Sequence, residues 1–118
     1  MVSGVRATRD ARGSEIEFGP ISVLLERVVR SWHPVAIWLF GSRARGEANS
    51  ESDWDLLVVV PDEVPDVDDP MAAWQLMKDS GVRSDLIPCR ATEFEDARNT
   101  PNTLAYEAFH NGVLIYGR

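Results

Sequence analysis

One cysteine, Cys89, is all the sequence offers to disulfide chemistry, so no internal bridge staples the fold and a reducing compartment suits the chain. Long apolar runs are missing too. Stretches such as Leu56 to Val60 fall far short of the roughly 20 residues a membrane helix needs, which sets a transmembrane role aside. No charged-then-apolar leader opens the sequence, so the expected location is the cytoplasm rather than the exterior. Basic charge is the scarcest commodity: 12 Lys and Arg stand against 19 Asp and Glu, a net charge of -7. Between Glu47 and Met77 there are nine acidic residues and not one Lys or Arg. Such a surface repels polyanions, and Arg6, Arg9 and Arg12 alone make no basic footprint, so direct nucleic-acid binding is not expected.

What is present fits one domain of 118 residues, long enough to bury roughly two thirds of the surface its unfolded chain exposes. Residues 1–17 show no sustained apolar period and read as a flexible arm. From Pro20, the positions Ile21, Leu24, Leu25, Val28, Val29 and Trp32 form one helical stripe, stopped by Pro34. Val35 to Phe40 is a run of strand formers closed by Gly41. After a short helical turn and a polar loop, Asp53 to Val60 forms a second strand. Helical spacing returns from Met71 to Lys78, a third strand spans Val82 to Cys89, and Thr92 with Glu95 forms a capping box for a short helix. A last helix runs from about Asn102 to His110, Gly112 stops it, and Val113 to Tyr116 returns as a strand. The expected fold is α/β (α+β): a small mixed sheet flanked by helices, gathered on one of its faces. Trp32, Trp38 and Trp74 lie on apolar faces and are expected in the core. His33 and His110 have no metal-ligand spacing, and Cys89 has no partner residue to make it a nucleophile.

Two carboxylates at the mouth of an apolar strand demand a reason. Asp53 and Asp55 alternate with Trp54, so both point to one face of the strand. Anions held that close destabilise one another unless a cation lies between them, and Mg2+, which prefers a few carboxylates plus substrate phosphates, suits an open site at a strand end. Asp85 in the third strand supplies a third carboxylate if that strand pairs beside the second; it then bridges a metal and accepts the proton of an attacking hydroxyl. Gly41 lets a phosphate approach the backbone, and Ser42 offers its hydroxyl and N–H to the same oxygens. Arg43 and Arg45 are either salt-bridge partners of nearby acids or holders of the triphosphate.

The string GSRARG followed by SDWDLLVVV, with ten residues between the Gly41-Ser42 pair and Asp53, resembles the nucleotidyltransferases of the DNA polymerase beta superfamily. It looks closest to the minimal nucleotidyltransferases that accompany HEPN-domain partners in prokaryotic toxin-antitoxin pairs, a likeness covering most of the chain from Gly19 onward, within a single domain of residues 18–118. Trp54 departs from the smaller aliphatic residue more usual there. The resemblance implies a nucleotidyltransferase fold, two Mg2+ ions held by Asp53, Asp55 and Asp85, and ATP as substrate in a cleft lined by Gly41, Ser42, Arg43 and Arg45. It further implies an antitoxin that transfers AMP to a tyrosine hydroxyl of a cognate HEPN toxin ribonuclease, with which an oligomer is expected. Two other readings stay open: an antitoxin that neutralises its partner by covering it, and a transferase acting on a small molecule of the aminoglycoside type.

Overall fold

The computed structural model describes residues 9–118. After a 3-10 turn at Gly19–Ile21 come α1 (Ser22–Trp32), β1 (Ala36–Phe40), α2 (Ser42–Arg45), β2 (Trp54–Val60), α3 (Pro70–Met77), β3 (Ser84–Arg90), α4 (Ala91–Ala97), α5 (Leu104–Asn111) and β4 (Val113–Gly117). The four strands form one sheet in the order β3-β2-β1-β4. β1 runs antiparallel to both β2 and β4, whereas β2 and β3 are parallel, so the chain crosses between them through α3. The sheet is mixed, as the sequence suggests.

Local signals account for most boundaries. Leu24, Leu25, Val28 and Trp32 bury the stripe of α1, His33 closes it in a left-handed conformation with φ of 47°, and Pro34 prevents its continuing. Asp69 caps α3 by accepting from the Met71 N–H at 3.0 Å, with Pro70 preset for the first turn. Thr103 caps α5 through the Tyr106 N–H. The capping box expected at Thr92 is not formed. Arg90 is the residue that precedes α4, and Thr92 instead gives its N–H and hydroxyl to the carboxylate of Asp62, which is held below its usual range by those bonds.

Helices cover both faces of the sheet, not one. Alternation along β2 sends Trp54, Leu56, Val58 and Val60 toward α1 and α3, into a cluster with Ile37, Leu39, Leu86 and Ile115. Leu57 and Val59 face the other way, under Phe94 of α4 and Ala105 and Ala108 of α5. That side is finished by an aromatic group in which Trp38 lies 6.0 Å from Phe94 and 5.6 Å from Phe109. Placing all helices on one side overlooked that α4 and α5 carry their own apolar residues, which need a sheet face to cover. Trp32 is core, Trp38 half-buried, and Trp74 departs from expectation: it stands 47% exposed on α3, with Lys78 over its ring.

Of the expected arm, residues 1–8, Arg6 among them, lie outside the described residues, and residues 9–17 contain a turn closed by the Arg9–Glu15 bridge. Asp10 accepts from the backbone N–H of Arg12 and Ser14, and Ala11 donates to the carbonyl of Ala44 in α2 at 2.8 Å. Ile16 and Phe18 then pack on the main cluster. The polar composition hid a turn held by one aspartate. Among the described residues, no helix is long and apolar enough to cross a membrane.

Candidate active site

The sheet order brings four strand ends to one edge. Phe40 pairs with Asp55 across the β1–β2 ladder, and Asp55 pairs with Asp85 across β2–β3, so the residue after Phe40, Gly41, lies beside the carboxylates. Asp55 and Asp85 are register partners on parallel strands and therefore share a face. Their side chains are hydrogen-bonded to each other. Desolvation pushes the Asp55 carboxyl above its usual range, that hydrogen bond and the charges of Asp85 and Asp53 add to the effect, and the guanidinium of Arg45 opposes it.

Gly41 makes this approach possible. Its φ of 76° lies in the region that favours glycine, and a Cβ built there would stand 3.1 Å from Asp55 Cγ and closer still to Oδ2. Any other residue would drive Asp55 out of place. Gly41 and Ser42 open α2 and line a cleft of about 520 Å³ with Arg45, Glu51, Ser52, Asp53, Asp55 and Arg83. The N-terminal turn steadies this loop through the Ala11–Ala44 hydrogen bond.

The seven residues singled out in the sequence separate here. Gly41, Ser42, Asp53, Asp55 and Arg45 line the cleft, and Asp85 joins it from the exposed side through Asp55. Arg43 does not reach it. Its guanidinium donates to the Ser52 carbonyl at 2.8 and 3.1 Å and to that of Asn49 at 3.3 Å, and lies 4.2 Å over Trp54 on the opposite face. Arg43 clamps the loop that delivers Asp53. Arg45 faces the cleft but is paired with Glu47 at 2.5 Å. Asp53 is also differently placed from the expected triad, since its Oδ1 meets Arg83 Nε at 3.2 Å. Among the described residues no three carboxylate, His or Cys side chains close into a single metal-holding group. Asp53 is paired with the guanidinium of Arg83 instead.

A family model described as "Polymerase beta, Nucleotidyltransferase" matches residues 25–118. The chain belongs to the polymerase beta nucleotidyltransferase family. A comparison with curated proteins finds no match. The matched span takes in every strand of the nucleotidyltransferase domain together with Gly41, Ser42 and the three aspartates. The family works on nucleoside triphosphates and generally with Mg2+, and the donor set here suits that hard cation. The donors are all oxygen, Asp53 Oδ1 is a buried acceptor with no hydrogen bond to satisfy it, and Asp55 sits against Asp85 with more negative charge than its surroundings compensate.

Arg83, like Glu51 and Ser52, is a cleft residue that sequence reasoning passed over. It stands two residues before Asp85, hence on the same face of the chain, and supplies positive charge to a row of acids. That parity was available in the sequence. Cys89, half-buried in β3, has its thiol pushed up to about 11 chiefly by desolvation, in keeping with an inert side chain.

Proposed function

We propose that this domain transfers AMP from ATP to a hydroxyl of a partner protein, in a Mg2+-dependent reaction that releases pyrophosphate. The observation that carries the reading is the Asp55–Asp85 pair, which Gly41 admits only because it has no side chain. Asp53 and Asp55 would hold the two metal ions, with Asp85 bridging at the acceptor side. Bound there, Mg2+ neutralises the triphosphate and makes its α-phosphorus a better electrophile. Gly41 and Ser42 seat the β- and γ-phosphates, Arg45 turns from Glu47 to their charge, and Arg43 keeps the Asp53 loop in place. Asp85 accepts the proton of the acceptor hydroxyl as its oxygen bonds to the α-phosphorus. The bond from that phosphorus to the bridging oxygen breaks, and pyrophosphate leaves with the electron pair.

Asp85 stands on the exposed side of the cleft, a placement that favours an acceptor brought by another protein over a small molecule enclosed by this domain. Together with the resemblance in residues 39–60, that favours a tyrosine of a cognate HEPN toxin ribonuclease as acceptor and antitoxin as role. The Asp53–Arg83 pair gives some support to a second reading, in which the domain neutralises its partner by covering it and the site is idle.

Titration calorimetry with Mg-ATP and incubation with the neighbouring gene's product test both. Wild type binds Mg-ATP, and mass spectrometry finds one or more AMP groups added to the partner; Asp53→Asn combined with Asp55→Asn abolishes both. Asp85→Asn still binds Mg-ATP to within about tenfold, while transfer falls by roughly two to four orders of magnitude, the usual worth of a positioned base. If Asp85→Asn protects cells from the partner as well as wild type does, covering rather than chemistry is the mechanism.

A further inference from the structure

The geometry points to Arg83 as a latch that holds the place of the divalent cation at Asp53 and must be displaced when the metal enters. This inference rests on the metal-dependent reading above and adds to it a residue that controls loading. Arg83 lies just before β3 and lines the same cleft as Asp53, Asp55, Gly41 and Ser42. Its Nε stands 3.2 Å from Asp53 Oδ1, the distance of an ion pair. Yet that same Oδ1 is buried and receives no hydrogen bond, so the guanidinium supplies charge without alignment. A carboxylate oxygen neutralised but unsatisfied is a site with a provisional occupant. A cation coordinating Oδ1 directly would satisfy it fully.

Exposure sets how firmly the latch holds. The Arg83 side chain is 73% exposed and that of Asp53 42%, so water and salt screen the pair and its opening is easy. The backbone anchors the arginine regardless, because the Arg83 carbonyl accepts from the Trp54 N–H at 3.0 Å and ties it to the strand bearing both aspartates. Release therefore moves only the side chain. Arg83 sets a positive charge beside Asp53, whose own charge adds to the repulsion at Asp55; a bound cation would take over that place. Arg83 is thus a positioning residue that competes with metal.

Binding of Mn2+ alone, followed by the electron paramagnetic resonance of the free ion, reads this without any turnover. Arg83→Gln binds Mn2+ about two- to fivefold more tightly than wild type, the range open to a competing half-exposed ion pair. Arg45→Gln, which removes another guanidinium from the same cleft but one held by Glu47, gains less. The latch is overturned if Arg83→Gln binds Mn2+ no more tightly than wild type, or gains no more than Arg45→Gln, since the effect is then the general field of the cleft. A wild type that takes up no Mn2+ at all overturns the metal-dependent reading and the latch with it. Wild-type binding that Asp53→Asn weakens, with Arg83→Gln matching wild type, overturns the latch alone.

Discussion

The two faces of β2 are made from one run of residues and do opposite work. On the face toward α1 and α3, Trp54, Leu56, Val58 and Val60 are all 3% exposed or less, and the strand is covered along its whole length. On the other face Leu57 and Val59 are equally buried under α4 and α5, but the cover stops there and Asp55 and Asp53 emerge beyond it. A helix pair of limited reach thus leaves one end of one face open. The lesson is that the site is the uncovered remainder of a core, positioned by the same pleat that packs Leu57, so its carboxylates inherit the rigidity of a central strand without its burial.

Breaking each face separately tests that division, and the core substitution has the largest effect. Leu56→Ala removes a fully buried side chain from the fully covered face and is expected to cost about 3–5 kcal/mol, against about 2–3 kcal/mol for Leu57→Ala, where the small Ala105 and Ala108 and the aromatic group can settle into the space. Urea unfolding midpoints give both numbers. Equal costs would mean that the two layers are packed alike and that the open end needs another explanation.

Gly41→Ala comes next and strikes the join between the layers. The new Cβ meets the Asp55 carboxylate while the backbone stays in a region alanine disfavours, so a loss of about 1–3 kcal/mol is expected. Binding of Mg-ATP should be lost along with it. A variant that keeps wild-type nucleotide affinity would show that Asp55 need not stand where it does.

Arg43→Lys sharpens the contrast further, because Arg43 belongs to the buried face and Arg45 to the open one. Lysine keeps the charge but not the fork that spans the Ser52 and Asn49 carbonyls, nor the flat stacking on Trp54. Stability should fall by about 1–2 kcal/mol, with Mg-ATP affinity unchanged, whereas Arg45→Ala should weaken nucleotide binding and leave the urea midpoint near that of wild type. The reverse pattern would return Arg43 to the phosphates.

How these features could be read beforehand depended on their range. The strands and helices were legible because periodicity and breakers are local: Pro34, Gly41 and Gly112 mark boundaries that the structure keeps to within a few residues. Asp53 and Asp55 sharing a face followed from strand alternation, and Asp85 joining Asp55 followed once β3 was placed beside β2. What escaped were pairings between residues with no fixed spacing. Arg43 was left between two roles because nothing local says that its fork closes on Ser52. Thr92 was given to its own helix when Asp62, far back in the chain, had the stronger claim. The turn at residues 9–17 looked formless since its order comes from Asp10 and from Ala44. Arg83 went unassigned although its parity was in view, for a lone arginine just before an edge strand has no motif to announce it.

The smallest effect expected is electrostatic, and it separates the open end from the covered one by pH. In the metal-free protein Asp55 titrates above its ordinary value of 3.8, through desolvation first and then through Asp85 and Asp53. Between that ordinary value and the raised one the folded state binds more protons than the unfolded chain. Stability therefore falls as pH rises through this window, and the cost is fully present above it. Asp55→Asn removes the titration, so without metal the variant should be more stable than wild type at neutral pH and should lose that advantage as pH drops below the ordinary carboxyl range. Urea midpoints for the two proteins across that window, in chelator, give the comparison. Added Mg2+ should invert the order at neutral pH, because only wild type then gains the free energy of binding a cation to its folded form. Parallel pH curves in chelator would mean that Asp55 is not strained by its neighbours, and the argument that this end of β2 is built to receive a cation would fail with it.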